Sequence, residues 1–159
     1  MKEPKQRLTW AFSRCGNLRL RTTSCRRAIL EVLAESSFPL TLGTISMAVR
    51  ERNHFDPATV YRSLSLFKEA EIIRSVGTTS KSTYYFLNMP GEHCHFLICR
   101  RCGAIKPSPC GRHLDALEDE LTRSTGYAEI YHELTFYGIC PSCQHSPTAP
   151  LPVKLRVRS

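Results

Sequence analysis

The sequence predicts an α+β protein in which a winged helix-turn-helix is followed by a small α/β domain with two Cys-x-x-C pairs. Apolar stripes at helical spacing, followed by two β-rich runs, occupy the first 87 residues. The second part alternates strand and helix patterns and holds most of the histidines and cysteines. The chain has 159 residues. Its eight cysteines and its net charge of +8 are both unusual and need an explanation.

Three helices are predicted before residue 53. Residues 3–15 form a first helix that is expected to end at Gly16, because glycine often terminates a helix. Residues 22–24 provide hydroxyl N-caps for a second helix with apolar residues at 29, 30, 32 and 33. Thr41 can cap a third helix whose apolar face contains Ile45 and Val49.

A fourth helix has the clearest start signal in the chain. Asp56 provides an N-cap carboxylate and Pro57 suits the first helical position. Val60, Leu64 and Phe67 follow at the spacing of a buried face. Three other residues of this helix, Thr59, Arg62 and Ser63, are therefore expected to face away from the core.

A hairpin follows, with strands at residues 72–76 and 83–87 around a turn-rich segment. Helices and hairpin together predict a winged helix-turn-helix over residues 1–87. Pro and Gly in residues 88–91 predict a hinge. Beyond the hinge we expect a second domain over residues 92–143. Its predicted strands are 93–99, 104–106 and 129–137, and its predicted helix is 112–125, which Gly126 ends. Residues 144–159 are expected to form a disordered, Pro-rich basic tail.

Charge separates the two parts of the chain. Residues 1–90 contain 14 Lys and Arg against 7 Asp and Glu, whereas residues 91–143 contain 5 against 7. The first part can therefore meet a polyanion. No signal peptide and no membrane span is visible, so we expect a cytoplasmic protein without a membrane partner. No catalytic triad, phosphate loop or carboxylate pair is visible, so no enzyme activity and no small-molecule substrate are expected.

The two Cys-x-x-C pairs predict a structural zinc site. Cys99 and Cys102 form one pair, and Cys140 and Cys143 form the other. Four thiolates from two such pairs satisfy tetrahedral Zn²⁺ and leave no open position for catalysis. The alternative from a different class is a thiol redox protein that uses one of the pairs.

Histidines in the same domain predict a second, exchangeable metal site. His93 and His95 lie two apart on a strand and share a face. His113 begins the following helix, and His132 lies in the predicted last strand with its ring inward. Three other residues are reserve ligands: Glu118, Cys94 and Cys110.

The chain resembles the ferric uptake regulator family of metal-responsive transcription repressors. The resemblance rests on Asp56-Pro57-Ala58-Thr59-Val60-Tyr61-Arg62-Ser63-Leu64, which is similar to the family's recognition helix, and on the ordered motif His93-x-His95, Cys99-x-x-Cys102-Gly103, His132, Cys140-x-x-Cys143. It covers residues 18–143. It implies a DNA-binding winged helix followed by a dimerisation domain that holds structural zinc and a sensing site.

The resemblance implies specific DNA contacts. Tyr61 and Arg62 match positions that read bases or phosphates in the major groove, where arginine can donate two hydrogen bonds to guanine. Arg21 matches a basic residue that reaches the minor groove. Thr59 lies on the same exposed helix face. Further basic residues are expected to contact phosphates without reading sequence: Arg19, Arg26, Arg27 and Lys81.

The resemblance also implies that His93, His95 and His132 bind one regulatory ion, with His113 near the position of the family's fourth ligand. This second divalent metal is expected to be Zn²⁺ or Fe²⁺. A metal-loaded homodimer should then bind an inverted-repeat operator. Within the family, the alternative is a peroxide sensor in which peroxide, reacting at a bound ferrous ion, oxidises a histidine ligand.

Overall fold

The computed structural model describes residues 2–52, 54–79, 82–90, 95–108, 112–128, 130 and 132–145. The chain divides into two compact units, Met1–Glu92 and His93–Ser159. In the described part of the chain, none of the helices has the length and apolar character that crossing a bilayer requires. The hinge expected at residues 88–91 stays a prediction, because residue 91 lies outside the described residues.

The first unit has four helices and a three-stranded sheet. Its elements are α1 (Pro4–Asn17), α2 (Ser24–Glu35), β1 (Leu40–Thr41), α3 (Leu42–Arg52), α4 (Pro57–Glu69), β2 (Ile73–Thr79) and β3 (Ser82–Leu87). The sheet order is β1-β3-β2, and both pairings are antiparallel. Strand β1 was not expected from the sequence, since two residues are too few to show a period.

Side-chain caps begin three of these helices, as the sequence predicts. Thr23 accepts a hydrogen bond from the Arg26 N–H at the start of α2, and Asp56 accepts one from the Thr59 N–H at the start of α4. The Thr41 hydroxyl accepts from the Thr44 N–H at 3.1 Å. Each cap satisfies a backbone donor that has no partner within the helix.

Helix α1 does not end at Gly16, contrary to the sequence-based expectation. It continues to Asn17, and Arg19 has the left-handed φ of 53° at its end. The Arg19 N–H donates to the Gly16 carbonyl, and the Leu20 N–H donates to the Cys15 carbonyl. This is a Schellman ending with arginine in the position that glycine usually takes. Gly16 therefore has helical φ and ψ, which any residue other than proline can adopt.

Gly16→Ala is expected to raise the free energy of unfolding of the first unit by about 0.5–1 kcal/mol. A Cβ added at Gly16 meets nothing within 4 Å, so the change lowers the entropy of the unfolded chain without a clash. Urea unfolding monitored by circular dichroism measures the change. Gly126→Ala is the contrasting variant in the second unit, and it should destabilise that unit, because Gly126 has a φ of 75°. A loss of stability in the Gly16 variant would contradict the helical assignment.

All four helices and the sheet contribute to the core of the first unit. Its largest fully buried side chains include Phe67, Ile29, Leu30, Leu33, Ile45 and Leu64. Arg7 of α1 is also buried, and its Nη1 donates to the carbonyls of Ala34 and Ser36 at 2.9 and 2.6 Å. These carbonyls lie at the end of α2, so Arg7 satisfies acceptors that the helix leaves open.

The second unit has three short strands and two helices. Its elements are β4 (Phe96–Cys99), β5 (Ile105–Pro107), α5 (Arg112–Thr125), β6 (Thr135–Gly138) and α6 (Pro141–His145). The sheet order is β5-β4-β6, with β4 antiparallel to β5 and parallel to β6. This mixed α and β architecture confirms the predicted fold class.

Two boundaries in the second unit were predicted wrongly. The last strand begins at Thr135, so His132 precedes it instead of lying within it. The neighbouring strand β4 starts at Phe96, which is the register partner of Thr135. The residues before Thr135 alternate as a strand would, but they have no described strand to pair with. Helix α6 extends to His145, so the first two residues of the predicted disordered tail are helical. The rest of that tail lies outside the described residues.

Candidate functional site

Four cysteine sulfurs form a cluster in the second unit. The Sγ atoms of Cys99, Cys102, Cys140 and Cys143 all lie within 4.8 Å of one another. Those of Cys102 and Cys140 are 3.7 Å apart. In a tetrahedral site with Zn–S bonds of about 2.3 Å, neighbouring sulfurs are about 3.8 Å apart. The cluster therefore suits a structural zinc ion, with four thiolate ligands and no open position.

The parallel strands bring the two cysteine pairs together. Cys99 ends β4 and pairs across the sheet with Gly138, two residues before Cys140. Since the carboxyl ends of neighbouring parallel strands meet at one edge, both pairs lie there. Gly103 closes the first pair with a φ of 77°, and its N–H donates to the Cys99 carbonyl. The second pair opens α6, where the sequence predicts only a turn.

Backbone N–H groups polarise the Cys99 sulfur. Burial by itself raises the pKa of this thiol, but the N–H groups of Cys102, Cys140 and Arg101 outweigh that effect and lower the pKa to about 6. The Cys143 thiol behaves oppositely: hydrogen bonding to Cys140, burial and the other two cysteines raise its pKa to about 12. Four thiols this close together ionise jointly only when a cation compensates their charge.

Arg101 supports this cluster from outside. Its guanidinium Nη1 donates to the backbone carbonyl of Cys143, which ties the first cysteine pair to the second. The sequence does not predict this contact, and its one signal is the position of Arg101 inside the first pair. Such outer contacts hold metal ligands in place.

Two histidines meet at the opposite edge of the same sheet. His95 immediately precedes β4 and His132 precedes β6, so the parallel pairing of these strands brings both to the amino-terminal edge. Their Nε2 atoms are 3.0 Å apart, and the rings stack with centroids 4.7 Å apart. Two nitrogen ligands of one tetrahedral zinc ion are about 3.4 Å apart. The pair can thus bind one ion with a small adjustment.

Glu118 of α5 contacts this pair. Its Oε1 lies 2.6 Å from Nδ1 of His132, and both side chains are more than four-fifths buried. A carboxylate on Nδ1 fixes the ring orientation and leaves Nε2 available, which is the usual outer partner of a metal-binding histidine. Glu118 is therefore in place as an orienting residue, whereas the sequence suggested it as a reserve ligand.

Four further residues were predicted for the regulatory site. His93, Cys94 and Cys110 lie outside the described residues. His113 lies in α5, but its side chain is not among those described.

A second candidate site lies on α4 of the first unit. Tyr61 and Arg62 are exposed, and the Arg62 guanidinium donates to the Thr59 hydroxyl at 3.2 Å. Ser63 is buried, contrary to expectation, and its hydroxyl donates to the Thr59 carbonyl. Ser63 lies three residues after Val60 on the same helix face, so it belongs to the buried stripe. The exposed face can present one aromatic ring and one guanidinium to a partner.

The predicted phosphate-binding residues differ in their surroundings. Arg19 and Arg21 are exposed in the loop before α2. Arg26 is half-buried, and its Nη1 donates to the Arg21 carbonyl at 2.7 Å, so it shapes this loop. The Arg27 guanidinium lies 4.8 Å from the centroid of the Phe12 ring. Lys81 lies outside the described residues.

Comparison with known proteins finds ferric uptake regulation proteins among the relatives of this chain. The ferric uptake regulation protein of Neisseria meningitidis is 31% identical over 87 residues, which are 55% of this chain and 59% of that protein. The chain thus spans less than two thirds of that relative. The ferric uptake regulation protein of Campylobacter jejuni is 29% identical over 131 residues, which cover 79% of this chain and 81% of that protein.

The fold is also found among solved structures. The Helicobacter pylori ferric uptake regulator Fur superposes with a TM-score of 0.69 at 21% identity, covering 91% of this chain and 97% of that one. This similarity concerns the fold. The sequence model of the Ferric uptake regulator family matches residues 17–137, which is more than half of the chain. This range includes α4, His95, His132 and the first cysteine pair. The chain belongs to the ferric uptake regulator family.

Proposed function

We propose that this protein is a metal-responsive transcriptional regulator that binds operator DNA as a homodimer when a divalent metal occupies its regulatory site. The observation that carries the proposal is the pair of facing Nε2 atoms of His95 and His132, 3.0 Å apart. This pair lies in a chain whose other unit is basic and presents Tyr61 and Arg62 on an exposed helix face.

Metal sensing is assigned to His95 and His132. Their facing nitrogens bind the ion, and Glu118 keeps the His132 ring oriented. Imidazole ligands suit Zn²⁺ and Fe²⁺ alike, so we propose Zn²⁺ or Fe²⁺ as the regulatory metal. The structural zinc is assigned to Cys99, Cys102, Cys140 and Cys143, at the other end of β4.

DNA binding is assigned to α4 and the basic loop before α2. Arg62 donates to a base edge in the major groove, and Tyr61 contacts a thymine methyl group or a phosphate. Arg19 and Arg21 contact the backbone or the minor groove. This assignment is supported by the exposure of these side chains and by the excess of basic residues in residues 1–90.

Dimerisation is assigned to the second unit. Six of its large apolar side chains are exposed: Leu97, Leu117, Leu121, Tyr127, Phe136 and Tyr137. Leu97 and Phe136 are register partners on β4 and β6 and so share one face. Among its described side chains, Leu114–Thr125, helix α5 has none that is fully buried. A second copy of the chain covers such surface, and two-fold symmetry then favours an inverted-repeat operator.

DNA affinity with and without regulatory metal tests this function. A binding sequence is first selected from random duplexes in the presence of Zn²⁺, and fluorescence anisotropy then gives Kd with Zn²⁺, with Fe²⁺ under anaerobic conditions, and with a weak chelator. Metal should tighten binding by about 5–150-fold, the usual range of such coupling. Arg62→Ala should weaken metal-loaded binding by about 10–100-fold, because one bidentate base contact is lost.

Arg50→Ala is the matched control, because Arg50 is also exposed, in the last turn of α3, and has no assigned DNA contact. It should bind nearly as well as the unchanged protein. Equal affinity with and without metal would contradict the proposed regulation, and equal loss in both arginine variants would contradict the role of α4. Oxidation of a histidine after peroxide treatment, seen by mass spectrometry, would favour peroxide sensing.

A further inference from the structure

The loop before α2, residues 18–23, is held at both of its ends by hydrogen bonds. At its start the Leu20 N–H donates to the Cys15 carbonyl at 2.9 Å, which closes the end of α1. At its other end the Thr23 hydroxyl caps α2. Leu20 is partly buried against the core of the first unit, whereas Arg21 beside it is exposed. The loop thus presents the Arg21 side chain from a backbone whose two ends are fixed.

Arg26 holds the middle of this loop. Its guanidinium Nη1 donates to the Arg21 carbonyl at 2.7 Å, back across five positions of sequence. Arg26 is half-buried in the first turn of α2. Burial raises the pKa of the Cys15 thiol, and the positive charge of Arg26 opposes part of that rise. The guanidinium is thus directed back over the loop, toward the end of α1.

The neighbouring Arg27 has different surroundings. It is exposed, and its guanidinium lies 4.8 Å from the centroid of the Phe12 ring. A cation–π contact uses the charge and occupies no N–H donor, so Arg27 keeps its donors for an anion. Because the donors of a guanidinium form one rigid planar fork, the bond from Arg26 to the loop carbonyl fixes the direction of the whole group. Only Arg27 is therefore placed as a phosphate contact is expected to be.

We infer that Arg26 is a positioning residue for DNA binding, which fixes the backbone from which the Arg21 side chain reaches the DNA. This inference rests on the proposed function, which assigns Arg21 to the DNA backbone or the minor groove. A long side chain loses less conformational freedom on binding when the backbone that carries it is already fixed. Loss of the Arg26 guanidinium should therefore weaken DNA binding through Arg21. A phosphate contact made by Arg26 itself would act independently of Arg21.

A double-mutant cycle on DNA binding separates these two roles. Fluorescence anisotropy gives Kd of the metal-loaded protein for the selected binding sequence in Arg21→Ala, in Arg26→Ala and in the double variant. Arg26→Ala should weaken binding by about 3–10-fold in the otherwise unchanged protein, and by less than about 2-fold in the Arg21→Ala background. Equal losses in both backgrounds would overturn the inference, because an independent phosphate contact or a general loss of structure acts equally in both.

Trypsin cleavage tests the same contact without DNA. Trypsin cuts after arginine, and the carbonyl that it attacks at Arg21 is the one that Arg26 binds. Cleavage of a folded chain follows the population of its locally opened state. Arg26→Ala should therefore speed cleavage after Arg21 by about 3–10-fold, the equivalent of one hydrogen bond, as measured by mass spectrometry of the fragments. An unchanged rate of cleavage after Arg21 would overturn the inference alone.

Arg27→Ala is the matched control, because it removes the same charge, and one trypsin site, from the same turn of α2. It should leave cleavage after Arg21 unchanged, and its effect on Kd should be the same with and without Arg21→Ala. Should Arg26→Ala fold poorly, Arg26→Met keeps an unbranched apolar stem without the donors, and we expect the same results from it. Absence of specific DNA binding by the metal-loaded, unchanged protein would instead overturn the proposed function, and this inference with it.

Discussion

Cys140→Ser is expected to abolish zinc binding and to unfold the second unit. The four sulfurs of the cluster connect the end of β4 and the turn after it to the segment after β6. The unit is small and its strands have three or four residues, so its apolar burial is too limited to replace the ion. Because an unfolded chain lacks the site, the free energy of zinc binding is also free energy of folding.

Metal analysis of the purified variant should find zinc near zero, against about one structural ion per chain in the unchanged protein. Size-exclusion chromatography should show loss of the proposed dimer, and circular dichroism should show loss of second-unit structure. Ser142→Ala is the matched control, because Ser142 is exposed within the same Cys-x-x-C pair and has no sulfur. It should retain zinc and the dimer. A folded dimer of Cys140→Ser that lacks zinc would refute the structural role.

Replacing both His95 and His132 with alanine is expected to remove the metal dependence of DNA binding while the structural zinc is retained. The two rings face each other at one edge of the sheet, and Cys99 lies at the opposite end of β4. Their loss should therefore leave the cysteine cluster intact. DNA affinity in metal should fall to the metal-free value, a loss of about 5–150-fold.

Glu118→Gln provides a graded test of the same site. Gln keeps the size of the side chain but removes the charge that orients His132, so the affinity for the regulatory metal should fall by about 10–100-fold. His145→Ala is the control, because His145 is exposed at the end of α6 in the same unit. Cobalt absorption spectra and anisotropy titrations measure both effects. Full metal dependence in the double histidine variant would exclude this site.

The sequence by itself determined the features that rest on local rules. Asp56 and Pro57 begin α4 where capping predicts, and Gly126 has the left-handed φ expected after α5. The cysteine pairs were recognisable by spacing, because ligand pairs two residues apart follow from zinc coordination. The exposed and buried faces of α4 also followed from helical periodicity, with the exception of Ser63, whose small size hides its membership of the buried stripe.

The tertiary structure decided how distant residues meet. The family resemblance had grouped His95 with His132, but no local pattern does so across 37 positions; the two rings meet because β4 and β6 are parallel neighbours. Glu118 joins them from a helix whose rotation the sequence leaves open. Arg19 and Glu71 follow the ends of their helices in the left-handed conformation, which local residue preference would assign to glycine. Their hydrogen-bonded surroundings offset the local cost, and those surroundings exist only in the folded chain.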